Sequence, residues 1–105
     1  MKIINLGRGQ GKTTRLLYAS EFQDVPILCA TSYQKQYLLD TAKKLGLQIP
    51  DPIAVSDLTH ETIRGSDLAG KDIFVDEAHW VLQSLLHSMG MRGEIKAITL
   101  SEKEN

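Results

Sequence analysis

The sequence predicts an α/β fold: one domain over residues 1–105, built as a three-layer sandwich around a mainly parallel five-stranded sheet. Short apolar runs of strand length alternate with segments of helical periodicity. Within the apolar runs, successive positions are hydrophobic rather than every second one, which is typical of strands buried on both faces. Helices that connect such strands cover both faces of a parallel sheet.

Each predicted element has a local signal. In chain order, the predicted strands are residues 2–6, 27–31, 53–55, 72–77 and 95–100, and the predicted helices are residues 13–22, 33–45, 59–64 and 78–89. Gly7 ends the first strand, Ser32 is a good N-cap for the second helix, and Gly46 ends that helix. Residues 78–89 form an amphipathic pattern. Its apolar face would carry Val81, Leu82, Leu85, Leu86 and Met89.

Composition is that of a globular protein: 42% of the 105 residues are hydrophobic, 24% are charged, and the formal net charge is −1. That charge gives no general signature of a nucleic-acid-binding protein. The single cysteine, Cys29, cannot form an internal disulfide and fits a reducing compartment. No apolar run has the length of a membrane span, and no room precedes residue 7 for a signal peptide. We expect a cytoplasmic protein that does not contact membranes.

A glycine-rich loop lies between the first predicted strand and the first helix. It comprises Gly7, Arg8, Gly9, Gln10, Gly11, Lys12, Thr13 and Thr14. Glycines allow backbone N–H groups to approach an anion, and the following helix N-terminus presents further N–H groups there. Lys12 would contact the β- and γ-phosphates of a nucleotide, and the Thr13 hydroxyl would bind Mg²⁺. The usual spacing of this motif has its first glycine at position 6, which is Leu6 here, so the loop is a variant.

A second motif follows the fourth predicted strand, which ends in Asp76 and Glu77. Ligands of open α/β sheets bind at the carboxyl ends of the strands, so Asp76 can lie beside the phosphate loop and help to hold Mg²⁺. Glu77 can then accept a proton from the water that attacks the γ-phosphate. The alternative is a strand that ends in solvated acids, with Glu77 stabilising a helix N-terminus.

These two motifs resemble the Walker A and Walker B motifs of P-loop NTPases. The Asp-Glu-Ala-His sequence that begins at Asp76 resembles the additional-strand, catalytic-glutamate branch, which includes helicases, RecA-like ATPases and viral terminases. Arg8, four residues before Lys12, resembles the loop arginine of large terminases. The resemblance implies a minimal RecA-like core whose last strand, residues 95–100, inserts between the strands of the two motifs. Thr99 or Ser101 would then lie near the γ-phosphate, unless they are ordinary hydroxyls at a strand end.

The resemblance further implies an ATPase that uses ATP and Mg²⁺, with Glu77, Lys12 and Arg8 as catalytic residues and Thr13 and Asp76 at the metal. ATP is expected over GTP because no guanine-recognition motif occurs. The chain ends after one core, so hydrolysis should be slow until a homo-oligomer or a partner protein completes the site. Arg64 or Arg92 would supply an arginine finger to a neighbour, or would simply be surface residues.

The small core and the terminase-like loop suggest a phage-encoded protein in the host cytoplasm that supports nucleic-acid processing or packaging, on DNA rather than RNA. Two other functions remain open. One is a module that senses ATP with negligible hydrolysis and switches a partner protein, and the other is a small nucleotide kinase.

Several aromatic residues have two interpretations. Tyr33 and Tyr37, together with Lys35 and Gln36, form either a weak stacking platform for nucleic acid or a solvated helix start. Trp80 either stacks on a base or a partner, or packs within its helix.

Overall fold

The computed structural model describes residues 11–65 and 67–99 of the chain, and these form a small α/β unit. Its helices are α1 (Lys12–Gln23), α2 (Ser32–Lys44), α3 (His60–Arg64) and α4 (Ala78–Ser88), and its strands are β1 (Ile27–Cys29), β2 (Ile53–Ala54) and β3 (Phe74–Val75). Short 3₁₀ turns occupy Val55–Asp57 and Asp67–Gly70. None of the helices in this part of the chain combines the length and the apolar character that crossing a bilayer requires.

The three strands form one parallel sheet with β1 in the centre, between β2 and β3. Leu28 of β1 pairs with Ile53 on one side and with Val75 on the other. All three strands therefore run in the same direction, and their carboxyl ends lie along one edge of the sheet. The segments that follow β1 and β3 begin at this edge.

The predicted five-stranded sheet, and with it the three-layer sandwich built on five strands, is wrong: residues 11–65 and 67–99 form a three-stranded parallel sheet. The predicted first strand, residues 2–6, lies outside the described residues. Of the predicted last strand, residues 95–99 are described and form no strand. The reason is local, because the Ile95 N–H donates to Oε1 of Gln83 at 2.8 Å, and Nε2 of Gln83 donates to the Gly93 carbonyl at 3.0 Å. The side chain of Gln83 on α4 thus occupies the Ile95 N–H, which a strand would have used to pair with a neighbour.

Two hydrophobic clusters cover the two faces of the sheet. One joins α1 and α2 to the sheet through Leu16, Leu17, Ile27, Cys29, Leu38, Ala42 and Ala54, and the other joins α4 to it through Leu28, Ala30, Val55 and Val81. Consecutive residues of β1 alternate between the clusters, which explains its uninterrupted apolar sequence. Fully burying a Leu or Ile side chain contributes about 1.5–3 kcal/mol, so these clusters hold α1, α2 and α4 in place around the strand ends.

The predicted apolar face of α4 is only partly buried. Val81 is buried, but Leu82 and Met89 are 39% and 79% exposed. Since residues 95–99 do not extend the sheet beneath α4, the described chain offers little for the C-terminal half of this face to pack against.

The N-cap of α2 is Thr31 rather than the predicted Ser32. Thr31 has an extended backbone, and its hydroxyl accepts a hydrogen bond from the Gln34 N–H at 3.1 Å. Oε1 of Gln34 in turn accepts from the Ala30 N–H at 2.9 Å. This reciprocal arrangement is close to a capping box and fixes the connection between β1 and α2. Two adjacent hydroxyl residues made both positions plausible caps in the sequence.

Candidate functional site

Helix α1 begins at Lys12, directly after Gly11, whose φ of 76° lies in the left-handed region. Glycine adopts this conformation without a steric penalty, which is why the chain can turn sharply into the helix here. None of the described side chains caps α1, although the Gly11 carbonyl accepts from the Arg15 N–H at 3.0 Å. The first N–H groups of a helix have no partner within it, so an anion is a suitable ligand for them.

The segment after β3 carries Asp76 and Glu77 toward the same edge. The Asp76 N–H donates to the Leu28 carbonyl at 3.0 Å, which continues the parallel pairing with β1 by one residue. Glu77 then adopts a left-handed backbone, with φ 57° and ψ 65°, and its carbonyl accepts from the Val81 N–H at 3.1 Å to start α4. The Glu77 side chain makes no capping bond to its own helix. The side chain contacts Lys12 instead.

The Glu77 carboxylate forms an ion pair with Lys12, with Oε1 and Nζ 2.8 Å apart. The contact joins the start of α1 to the segment after β3. The two side chains are 38% and 34% exposed, and ion pairs that water reaches contribute little, typically below about 1 kcal/mol. An anion that offers Lys12 more hydrogen bonds can therefore replace Glu77 as its partner.

A cavity of about 550 Å³ opens at this edge of the sheet. It is lined by Lys12, Thr13, Gln34, Tyr37, Asp76, Glu77 and Trp80. Its size lies within the range typical of small-molecule sites, about 300–1,000 Å³. The described part of its lining combines one cation, two acids and two aromatic rings. Charged groups and planar rings of a ligand can therefore bind in the same cavity.

The pKa of Asp76 is raised above its ordinary value, first by burial and then by the negative charge of Glu77, against the opposing effect of Lys12. A nearby cation would stabilise the ionised form of a carboxylate in such surroundings. Asp76 and Thr13 both line the cavity and carry oxygen donors, which Mg²⁺ prefers. Among residues 11–65 and 67–99, no group of three or more His, Cys, Asp or Glu is placed to hold a metal ion. A two-donor site still fits Mg²⁺, which keeps several waters and takes other ligands from substrate phosphates.

The raised pKa of Asp76 predicts a pH-dependent stability. The folded protein holds the Asp76 proton more tightly than the unfolded chain does, so this stabilisation is fully present below the unfolded pKa, about 3.9, and is lost as pH rises through the folded pKa. We expect Asp76→Asn to raise the Tm at neutral pH and the gain to shrink on acidification. Each 1 kcal/mol corresponds to about 4–8 °C in a domain of this size.

Thermal unfolding followed by circular dichroism at several pH values measures this effect, and Asp72→Asn, at an exposed acid before β3, is the control. An Asp76→Asn variant less stable than the parent at neutral pH would contradict the expected sign.

The cavity brings together four of the site residues predicted from the sequence, namely Lys12, Thr13, Asp76 and Glu77. Gly11 and Thr14 lie beside them at the start of α1 without lining the cavity. Gly7, Arg8, Gly9 and Gln10 lie outside the described residues, as does Ser101. Thr99 is described and exposed, but it lies on no strand.

The aromatic predictions separate in the structure. Tyr37 and Trp80 line the cavity, whereas Tyr33 does not, and Lys35 forms an ion pair with Asp51 at 3.2 Å. Gln36 donates instead to Asp40 within α2. Arg64 and Arg92 are exposed and do not line the cavity.

Gln34 lines the cavity but was missed in the sequence. A usable signal existed, since Gln34 is the third residue after a Thr that follows an apolar strand, the spacing of a capping box.

Compared with protein-family models, with curated proteins and with solved structures, the chain matches nothing.

Proposed function

We propose that this chain is a Mg-ATP-binding NTPase that hydrolyses ATP through Glu77. One observation carries the proposal: the start of α1 and the acids after β3 meet in one cavity, with Lys12 and Glu77 2.8 Å apart. A glycine-led helix start supplies N–H groups and a lysine to an anion, and the acids supply a metal ligand and a base. Mg-nucleoside triphosphates need these groups together.

The Lys12–Glu77 pair represents the site before nucleotide binds. Phosphate oxygens offer Lys12 charge-assisted hydrogen bonds, and its ammonium can turn from Glu77 to the β- and γ-phosphates. Glu77 is then released to orient the attacking water and to accept its proton. Lys12 therefore prevents the base from acting until a triphosphate is bound.

Thr13 and Asp76 are the residues that would hold the metal. A Mg²⁺ ion held there would supply positive charge to the phosphate oxygens during the reaction. The contribution of the chain is to hold an oxygen donor at the start of α1 and a second one after β3, so that the cation, the phosphates and Glu77 share one cavity.

The experiment is a measurement of Mg-ATP hydrolysis per protomer over a range of protein concentrations, with Glu77→Gln as the blank. Within the described residues no arginine lines the cavity, and arginine fingers accelerate such reactions by about 10³–10⁵-fold. We therefore expect slow hydrolysis that rises with protein concentration, as neighbouring protomers supply the missing charge. Failure to bind Mg-ATP at any concentration would exclude the proposal.

A second function is favoured by the same ion pair. Because Lys12 already engages Glu77, nucleotide binding to Lys12 would break this contact between the start of α1 and the residue that precedes α4. A module that senses ATP and switches a partner needs such a response and needs no turnover. Saturable Mg-ATP binding without hydrolysis at any protein concentration would support it.

The cellular setting is proposed from the resemblance. The chain would act on nucleic acid, DNA rather than RNA, in a cytoplasm where its single buried cysteine stays reduced. A homo-oligomer or a partner protein would complete the site.

A further inference from the structure

We propose that Tyr37 and Trp80 form a nucleobase-binding site for a second ligand, distinct from the triphosphate. The inference rests on the proposed function for the position of the triphosphate, but the site itself is built from different residues. Its walls are two aromatic rings contributed by two different helices, and both line the cavity that contains Lys12 and Glu77.

Both aromatic side chains are available for contact. Tyr37 is 56% exposed and Trp80 is 57% exposed, so neither serves mainly to fill the core. Each lies one helical turn after a residue fixed by the strand ends, since Tyr37 follows Gln34 on α2 and Trp80 follows Glu77 on α4. Planar unsaturated rings stack on such side chains, and base–aromatic stacking accepts every base because each has a π-face.

Gln34 adds a polar group to the same wall. Its Oε1 is occupied by the Ala30 N–H, so the orientation of the amide is fixed and the two N–H groups of Nε2 can donate to a ring carbonyl or ring nitrogen. A stacked ring with hydrogen-bond acceptors on its edge is the chemistry that this combination recognises.

The base belongs to a second ligand because of where the triphosphate would lie. In a phosphate-binding loop the backbone before the lysine holds the α- and β-phosphates, and the lysine reaches the β- and γ-phosphates. The nucleoside of ATP, which is attached to the α-phosphate, therefore lies on the side of Lys12 away from the terminal phosphate. Tyr37 and Trp80 follow the ends of β1 and β3 instead, on the side of Glu77, where the terminal phosphate is expected.

The charge of the cavity predicts how the second ligand binds. Among the described residues that line the cavity, Lys12 is the one cation, against Asp76 and Glu77, and Lys35 is paired with Asp51. Stacking, not contact with phosphates, must supply the affinity. A protein with several phosphate contacts loses about 10³–10⁵ in affinity between roughly 50 and 200 mM salt, whereas binding here should change little.

Trp80 is the one tryptophan of the chain, so its fluorescence reports on this site directly. The experiment titrates the full chain with thymidine and, separately, with a short single-stranded oligothymidylate, without any triphosphate. We expect saturable quenching that is nearly independent of salt. Tyr37→Leu should weaken binding by about 5- to 150-fold, the equivalent of stacking one base.

Tyr33→Leu is the matched control, because Tyr33 is 83% exposed on the same helix but does not line the cavity. Thermal unfolding of both variants shows that each is folded. Quenching by the oligomer alone would identify the ligand as a nucleic-acid strand, and equal quenching by thymidine would identify a free nucleoside or nucleotide. Absence of quenching by both ligands, or equal binding by the parent and the Tyr37→Leu variant, would overturn the site. Tyr37 and Trp80 would then be suited to an aromatic side chain of a partner protein.

Two competition measurements separate this inference from the proposed function. Displacement of thymidine by ATP, but not by inorganic tripolyphosphate, would show that the base of ATP itself occupies the site and would overturn the second ligand. Mg-ATP binding is measured independently by equilibrium dialysis. If dialysis shows ATP binding but the fluorescence titration shows no base binding, only the aromatic site is refuted. If the titration shows base binding but dialysis shows no ATP binding, only the proposed ATPase is refuted.

Discussion

Glu77→Gln is expected to leave Mg-ATP binding intact and to reduce its hydrolysis by about 10²–10⁴-fold, the contribution of a positioned general base. Glutamine keeps the size of the side chain but cannot accept the proton of the attacking water. It also forms no ion pair with Lys12, so the nucleotide no longer competes with Oε1 of residue 77 for the ammonium group. Affinity for Mg-ATP should therefore be equal to or higher than that of the parent.

Single-turnover hydrolysis and equilibrium dialysis measure the two effects separately. Glu94→Gln is the control, because Glu94 is exposed, carries the same charge and does not line the cavity. An unchanged rate in the Glu77→Gln variant would exclude Glu77 as the base, and a large loss of affinity would give it a role in binding instead.

Lys12→Ala is expected to remove measurable Mg-ATP binding. Hydrogen bonds to charged groups contribute about 1.5–3 kcal/mol each, so losing contacts to two phosphates weakens binding by roughly 100-fold or more. The fold should survive, since the side chain is 38% exposed and its ion pair with Glu77 is reached by solvent. Loss of binding with an unchanged Tm would identify a ligand contact and not a structural one.

Lys35→Ala is the control that fits this experiment. It removes one positive charge and one ion pair, with Asp51 at 3.2 Å, but from a side chain that does not line the cavity. If the Lys12→Ala variant kept its affinity for Mg-ATP, this result would exclude the phosphate site, and with it the proposed function.

Local patterns in the sequence predicted the four helices closely. Helix α1 begins one residue before the predicted range and ends one residue after it, and α2 is displaced by one residue toward the N-terminus. Such patterns work because the core side of a helix must be apolar at a fixed spacing and its ends need specific residues. The proximity of Lys12 to Glu77 also followed from local motifs, since parallel strands bring their carboxyl ends to one edge.

The number of strands could not be predicted in the same way. The apolar run after Gly93 is suited to a strand, but a strand forms only when a neighbour offers its backbone groups, and here the Gln83 side chain bonds the Gly93 carbonyl and the Ile95 N–H instead. Likewise, Gln34 and the cavity wall formed by Tyr37 and Trp80 depend on how α2 and α4 face each other across the sheet edge. The pairing of strands and the relative placement of two helices depend on the whole folded chain, so no single segment of the sequence reveals them.

The backbone of Glu77 has a consequence for which side chains can occupy this position. A left-handed conformation disfavours every residue with a Cβ, by about 1–3 kcal/mol, and is easiest for glycine and next for asparagine. A glutamate there makes the folded chain less stable than a glycine would, although glycine has no carboxylate to place beside Lys12. Conformational preference and the ion pair therefore compete at this position: Glu77→Gly is expected to stabilise the fold, and it would remove the carboxylate that pairs with Lys12.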